Sequence, residues 1–304
     1  MKAASYTKRS SGKVLEVVDS DPPVTRPDEV LIKVRAASVN PLDWRLKSRR
    51  PGVDLAGEIT TVGNGVTRFK PGDAVFGLGK GAFAEYAVAR ESRLAAKPDS
   101  VRFEHAASIP IAGLTAVQGL RDKGKLVAGQ KLLINGASGG VGTFAVQLAR
   151  IWGAEVTGVC STRNIEMVRS LGAEFVVDYT QQDFALDSKR YDLILDNVGN
   201  RDLADFRRVL NPDGRCVLVG APKQWGPIFR GLLDAIVRSL ILRQNFVFFI
   251  AKPKPDDLKL LAEFVQAGKI HPVIDRQYPL AETGAAMAYA EEGHARGKVI
   301  ITTN

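Results

Sequence analysis

The sequence predicts an α/β protein: a doubly wound parallel sheet in the middle of the chain, with β-rich segments at both ends. Three observations predict it. Residues 131–163 read as strand, glycine turn, helix and strand. Between residues 109 and 251 short apolar runs alternate with helical patterns, as in a parallel sheet covered on both faces. Before that stretch the chain is mostly short strands and turns, and after it strands reappear. The expected organisation is 1–108, 109–251 and 252–304, the last segment returning to the first.

In the first segment, Val30-Leu-Ile-Lys-Val-Arg-Ala36 alternates apolar and basic residues, the pattern of a half-exposed strand. Pro22-Pro23 and Pro27-Asp28 before it are turn chemistry. Gly57–Val62 is a strand running into the turn Gly63-Asn-Gly65. Lys70-Pro-Gly-Asp73 is another turn, and Ala74–Phe76, Gly81–Val88 and Arg93–Ala96 are further strands. A barrel or sandwich module follows from this density of turns.

In the middle segment, Ile111–Leu120 reads as a helix. Lys131-Leu-Leu-Ile-Asn135 is then a strand, Gly136-Ala-Ser-Gly-Gly-Val-Gly142 a tight turn, Thr143–Trp152 a helix and Glu155–Cys160 a second strand. Glycines permit such a turn and let backbone approach a pyrophosphate. The helix that follows offers its N–H groups and positive dipole end to the anion. A helix over Asn164–Leu171 and strands at Phe175–Val177 and Tyr191–Leu195 come next. A helix near Leu203–Leu210 stops at Asn211-Pro-Asp-Gly214, before a strand at Arg215–Val219. Trp225–Gln244 carries apolar residues at helical spacing, interrupted by Arg230, Asp234, Arg238 and Arg243. It suits a helix packed over the sheet or the mouth of a site, or one lying on a membrane surface. Phe246–Ile250 is a buried strand, the sixth of the sheet. In the last segment Asp256–Ala267 and Ala281–Glu291 are helical, Val273–Tyr278 is extended and Lys298–Thr302 is a closing strand.

Composition narrows the function classes. No run of about 18 apolar residues occurs, so no membrane insertion is expected. The start lacks the apolar core of a signal peptide. Two cysteines, Cys160 and Cys216, make no disulfide framework, and a cytoplasmic location is the simplest expectation. Net charge is +9, but the basic residues are dispersed. Their densest group, Arg45, Lys47, Arg49 and Arg50, has one aromatic neighbour and no recognition motif, so no nucleic acid is expected. The positive field also suits an anionic dinucleotide or substrate. Two cysteines and three histidines, none at a metal-ligand spacing from another, leave no zinc site expected.

The second strand of the glycine unit decides the cofactor. In an NAD site an acid ends that strand, about 20 residues after the glycines, and binds the ribose 2′-OH. Here the strand ends Cys160-Ser-Thr-Arg-Asn164. Hydroxyls and a guanidinium suit a 2′-phosphate instead, so NADP(H) is the expected cofactor. Outside this context Arg163 would read as a solvated residue at a helix start.

Seven stretches together resemble the medium-chain dehydrogenase/reductase superfamily, in its zinc-free, NADPH-dependent quinone oxidoreductase-like branch. They are Ser38–Asp43, Gly72–Phe76, Gly81–Tyr86, Ala112–Ala116, Asn135–Gly142, Asp196–Gly199 and Gly293–Val299. The resemblance covers nearly the whole chain. It implies a Rossmann domain inserted in a GroES-like β-barrel domain, and hydride transfer from NADPH to a quinone or an α,β-unsaturated carbonyl. In the alcohol-dehydrogenase branch a cysteine stands at the position of Asn40, and the lobe with four structural cysteines is missing here.

The resemblance also implies site residues. Asn40 and Asp43 would lie on the loop facing the nicotinamide, with the Asn40 amide donating to a carbonyl oxygen. Asn40 also reads as a turn residue before Pro41, and Asp43 as a cap for a helix at Trp44. Thr115 resembles a hydroxyl near the nicotinamide, or is an ordinary helix residue. For the cofactor the set is Gly136, Ala137, Ser138, Gly139, Gly140, Val141, Gly142, Cys160, Ser161, Thr162, Arg163 and Asn164. Tyr179 matches a tyrosine on the 2′-phosphate. Asn197, Gly220 and Phe248 match strand ends near the nicotinamide.

Two departures bear on the acceptor. The segment Arg45–Gly52 is shorter than in relatives, where it helps line the substrate site. No tyrosine stands between Tyr6 and Tyr86 to serve as the proton donor that enoyl-thioester reductases use. They keep open a second reading, an NADPH-binding redox sensor or assembly partner with little catalysis. Strand Phe246–Ile250 would pair across a homodimer if it is an edge.

Overall fold

The alternation of Val30, Ile32 and Val34 with Leu31, Lys33 and Arg35 is realised in strand β3 (Glu29–Ser38), where the first set is buried and the second half-buried. The computed structural model describes residues 1–9, 12–45, 48–219 and 244–303. It divides into two units, Met1–Leu114 with Lys252–Asn304, and Thr115–Ala251.

The first unit begins with an antiparallel pair, β1 (Lys2–Arg9) and β2 (Gly12–Asp19), for which the sequence raised no expectation. Its main sheet is built on β3. To one side lie β4 (Asp54–Val62), β5 (Ala74–Leu78) and β7 (Leu94–Ala96); β6 (Tyr86–Arg90) also pairs with β3. On the other side the order continues through β15 (Lys298–Thr302) to β14 (Ile274–Pro279). Ile300, Ile301 and Thr302 pair antiparallel with Ser38, Ala37 and Ala36, so both chain ends share one sheet. Val30, Ile32, Leu55, Ile59, Phe83 and Ile301 fill its core. Of the strand expected over Gly81–Val88, only the part from Tyr86 is regular; Lys80 and Ala84 make isolated bridges. Short helices α1 (Pro41–Arg45) and α2 (Phe103–Ser108) belong to this unit.

Helix α3 (Pro110–Val117) passes into a wider π-type turn at Gln118–Lys123, where Gly124 N–H reaches back to Gly119 O at 2.7 Å. The second unit is then a six-stranded, all-parallel sheet. Its strands in chain order are β8 (Lys131–Asn135), β9 (Glu155–Cys160), β10 (Phe175–Asp178), β11 (Tyr191–Asp196), β12 (Leu210–Leu218) and β13 (Asn245–Phe248). The spatial order is β10-β9-β8-β11-β12-β13. The chain winds outward one way from β8 and the other way from β11, and ligands bind beyond the carboxyl ends of strands at such a switch point. Helices α4 (Gly140–Ile151), α5 (Ile165–Ser170) and α6 (Leu203–Val209) connect the strands. Strand β12 begins earlier than expected. Its register jumps from Leu210 opposite Tyr191 to Arg215 opposite Leu193, so Asn211–Gly214 is a bulge inside the strand. The helix expected over Trp225–Gln244 lies, up to residue 243, outside the described residues.

After β13 the chain re-enters the first unit with α7 (Pro255–Gln266) and α8 (Thr283–Glu291). Among the described residues no helix is long and apolar enough to cross a membrane.

Candidate dinucleotide site and a buried polar cluster

The glycine turn sits at the switch point. Gly136 has φ +77°, a backbone state that side chains rarely adopt. A Cβ on Gly142 would fall 2.1 Å from Gly136 O, so only glycine lets α4 begin this close to the turn. Gly139, the N-cap of α4, offers no capping side chain. A Cβ there would meet nothing nearer than Gly136 O at 3.6 Å, so the space beside the loop is open. The first N–H groups of a helix have no intrahelical acceptor, and without a cap they suit an incoming anion such as a pyrophosphate.

The loop is tied to the end of β9. Asn164 Nδ2 donates to Ser138 Oγ at 3.1 Å and to Ser161 Oγ at 3.2 Å. Its Oδ1 is buried without a partner, an acceptor that a ribose hydroxyl would satisfy. These features fit a dinucleotide. Arg163 and Thr162 are exposed, as is Tyr179 at the end of β10. Cys160 departs from the expected set: its side chain is buried in the sheet, and its carbonyl already accepts the Tyr179 N–H at 3.0 Å. Burial, then the charge of Asp178, pushes its thiol up to about 11.

Asp178 was missed from the sequence. It stands opposite Cys160 in the parallel register, so β10 brings a carboxylate to the strand end where β9 has none. It accepts from Thr162 Oγ1 at 2.6 Å, Thr180 Oγ1 at 2.8 Å and Thr180 N–H at 3.0 Å. The Thr162 bond first, and then those from Thr180, hold its carboxyl below the usual range. Only the sheet pairing reveals it, since it lies 18 residues beyond Cys160.

Across the switch point Asn135 Nδ2 donates to Asp196 Oδ1 at 2.8 Å, and the N–H groups of Val198 and Gly199 also reach Asp196. Burial raises the Asp196 carboxyl. Asn197 Nδ2 donates to Asn135 O, while its Oδ1 has no partner. Asn197 therefore lies beside the glycine turn. Phe248 ends the outermost strand β13, two strands from β11, and is exposed. Thr115 is buried on α3. Gly220 lies outside the described residues.

The first unit gathers Ser38, Asn40, Asp43, Asp54 and Lys298, all buried. Asp43 lies within α1 and reaches back: Oδ2 accepts from Asn40 N–H at 2.8 Å and Oδ1 from Gly52 N–H at 3.1 Å. It therefore does not cap a helix at Trp44; it closes the N-terminus of α1 from the third helical position, as in a capping box. Burial first, with the Asp54 charge adding, pushes its carboxyl up to about 7 against these N–H bonds. Asn40 departs from expectation. It is only 2% exposed, and Nδ2 donates to Asp54 Oδ2 at 2.9 Å and to Ser38 O at 3.2 Å. Both amide hydrogens are used inside the unit, so none is free for a substrate carbonyl. Lys298 Nζ donates to Asn40 Oδ1 at 2.7 Å and Val39 O at 3.1 Å, and lies 3.9 Å from Asp54 Oδ2. Among the described residues no three His, Cys, Asp or Glu side chains converge in a way that could hold a metal ion.

A sheet with this switch point, a glycine turn under an uncapped helix and a β module made from both chain ends defines a nicotinamide-dependent oxidoreductase class. Residues 26–99 match the alcohol dehydrogenase GroES-like domain, and residues 171–301 match the zinc-binding dehydrogenase model. The chain is 35% identical to a chloroplast envelope quinone oxidoreductase homolog of Arabidopsis thaliana, over 99% of this chain and 98% of that one. It is 35% identical to the human mitochondrial NAD(P)H oxidoreductase RTN4IP1, over 92% of this chain and 83% of the other. The structure of the quinone oxidoreductase from Coxiella burnetii superposes with a TM-score of 0.89 at 30% identity, over 100% and 99% of the two chains. The chain belongs to the quinone oxidoreductase-like branch of the medium-chain dehydrogenase/reductase superfamily.

Proposed function

We propose that this chain is a zinc-independent, NADPH-dependent oxidoreductase that delivers hydride to a quinone or to the β-carbon of an α,β-unsaturated carbonyl. The end of β9 carries the cofactor assignment. Ser161, Thr162 and Arg163 stand there, and Tyr179 is exposed at the neighbouring strand end. The one carboxylate brought to that edge, Asp178, has both oxygens occupied by Thr162 and Thr180. With both oxygens engaged it is a poorer chelator of the ribose diol than an open carboxylate, and Arg163, exposed at the same strand end, offers a guanidinium to a 2′-phosphate.

When bound, NADPH supplies a hydride at nicotinamide C4. The protein supplies placement. The Gly136–Gly142 turn and the start of α4 hold the pyrophosphate. Asn164 Oδ1 and Asn197 Oδ1, buried without partners, would accept from hydroxyl or amide hydrogens of the cofactor. Asn40 and Asp43 shape the loop of the β module that resemblance assigns to the nicotinamide side, and Thr115 is retained there on the same ground. The names of the relatives support a quinone as acceptor. Zinc independence is supported by Asn40, which occupies the cysteine position of the alcohol-dehydrogenase branch and is bonded to Lys298.

Steady-state kinetics with both cofactors tests the assignment. KM for NADPH is expected below that for NADH, and Arg163→Ala should raise the NADPH value roughly tenfold, the scale of one charge-assisted bond, with little effect on NADH. A preference for NADH would overturn it. The acceptor is tested with a quinone, an enal, an enone and an enoyl thioester. NADPH binding without turnover of any would favour the redox-sensor reading. Activity that survives chelation supports the zinc-free chemistry. Among the described residues β13 has no strand on its outer side, so a second copy pairing there would make a homodimer. Val247→Pro should then shift the chain to monomer in size-exclusion chromatography.

A further inference from the structure

We propose that Lys298 is a positioning residue for this reaction: its buried ammonium grips the Asn40 amide and faces Asp54, fixing the 38–43 loop in its working form. The inference rests on the proposed function above and adds a residue to it.

The geometry is a closed ring. Lys298 opens β15 and is 4% exposed. An ammonium has three N–H bonds. Two go to Val39 O and Asn40 Oδ1, and Asp54 Oδ2 lies 3.9 Å from the same nitrogen. Asp54 in turn accepts from Asn40 Nδ2 at 2.9 Å, from Ser38 Oγ at 3.0 Å and from Ile111 N–H at 3.1 Å. Asn40 is thus held from both ends of its amide, by β15 on one side and the start of β4 on the other. Its backbone N–H is held separately by Asp43. A buried ion pair is weak evidence for stability, because apolar residues of similar volume often serve as well. Its value here lies in what it orients, a loop whose amide could otherwise rotate.

Charge gives a readout that packing would not. One cation faces two carboxylates, Asp54 of β4 and Asp43 of α1; Tyr6 of β1 also faces Asp43, with Glu291 of α8 next to Tyr6. The Lys298 charge holds the Asp43 carboxyl down against its burial. Without the ammonium, Asp43 takes up its proton at higher pH.

The test uses Lys298→Met and Lys298→Gln with saturating NADPH and an acceptor that the wild type reduces. For Lys298→Met, kcat is expected to fall roughly tenfold or more, the scale on which a displaced positioning loop acts. KM for NADPH should stay within about twofold, since no residue of the cluster belongs to the dinucleotide unit. The acid limb of the kcat profile should move to higher pH. Lys298→Gln keeps N–H donors for the loop without the charge. It should regain most of the plateau rate and retain the displaced limb. Wild-type kcat and pH profile in Lys298→Met would overturn the role, as would a rise in NADPH KM matching the loss in kcat. If Lys298→Met does not fold, Lys298→Gln decides: a displaced limb supports the role and an unmoved limb overturns it. Absence of turnover by the wild type with every acceptor would remove the proposed function, and this role with it.

Discussion

Asn40 and Asp43 show how burial reassigns a residue that sequence reads as exposed chemistry. Each uses its polar atoms inside the first unit, and the cost falls on Asp43, whose carboxyl is raised to about 7. A carboxyl raised on folding binds its proton more tightly in the native than in the unfolded state. Its contribution is present below the unfolded value, about 3.9, and is lost as pH rises through about 7. Asp54 and Asp196 are raised by burial as well and add in the same direction. Asp43→Asn is therefore expected to lower Tm overall, by loss of one N–H acceptor, and to flatten the fall in Tm across that window. An unchanged slope in melts at stepped pH would remove Asp43 as its source. At the glycine turn, Gly142→Ala places a Cβ 2.1 Å from Gly136 O and 2.7 Å from Ala137 backbone. Backbone must shift, and NADPH affinity by titration is expected to drop about tenfold or more, the scale of misplaced binding groups.

Among the elements, the strand-turn-helix-strand unit was legible because its signals are local. Leu132–Ile134 is a continuous apolar run, the glycines come at fixed offsets, and Gly158 lets β9 approach α5. A Cβ on Gly158 would lie 2.6 Å from Val168 Cγ1 and 3.0 Å from Ala137 Cβ. Gly158→Ala should cost about 1–3 kcal/mol in urea unfolding, the range for overpacking. The elements read less well depend on partners. Asn211-Pro-Asp-Gly214 looks like a helix stop and a loop, yet it is absorbed into β12 because Tyr191 offers Leu210 a place in the ladder. The pair β1 and β2 has only short apolar stretches; its long antiparallel register runs from Lys2 opposite Asp19 to Arg9 opposite Gly12, and Ala4, Leu15 and Val17 pack on the core of the first unit.

For the whole molecule, a net charge of +9 makes encounter with an anionic cofactor depend on salt. Raising salt from about 0.01 to 0.1 M shortens the screening length from about 30 to 10 Å. The Kd of NADPH, with its extra phosphate, is expected to rise more steeply than that of NADH, by fluorescence titration. Equal slopes would argue against a 2′-phosphate contact at Arg163 and Tyr179. The sequence by itself determined the layers, the glycine turn and the absence of an acid at the C-terminal end of β9, because periodicity and short motifs act over neighbouring residues. Tertiary structure alone decided three things. It set Asp178 opposite Cys160, it spent the Asn40 amide inside the unit, and it joined Lys298 to Asp54 across 244 positions of sequence. Each depends on which strands lie side by side, and strand pairing between distant segments is fixed by the packing of the whole sheet rather than by any local signal.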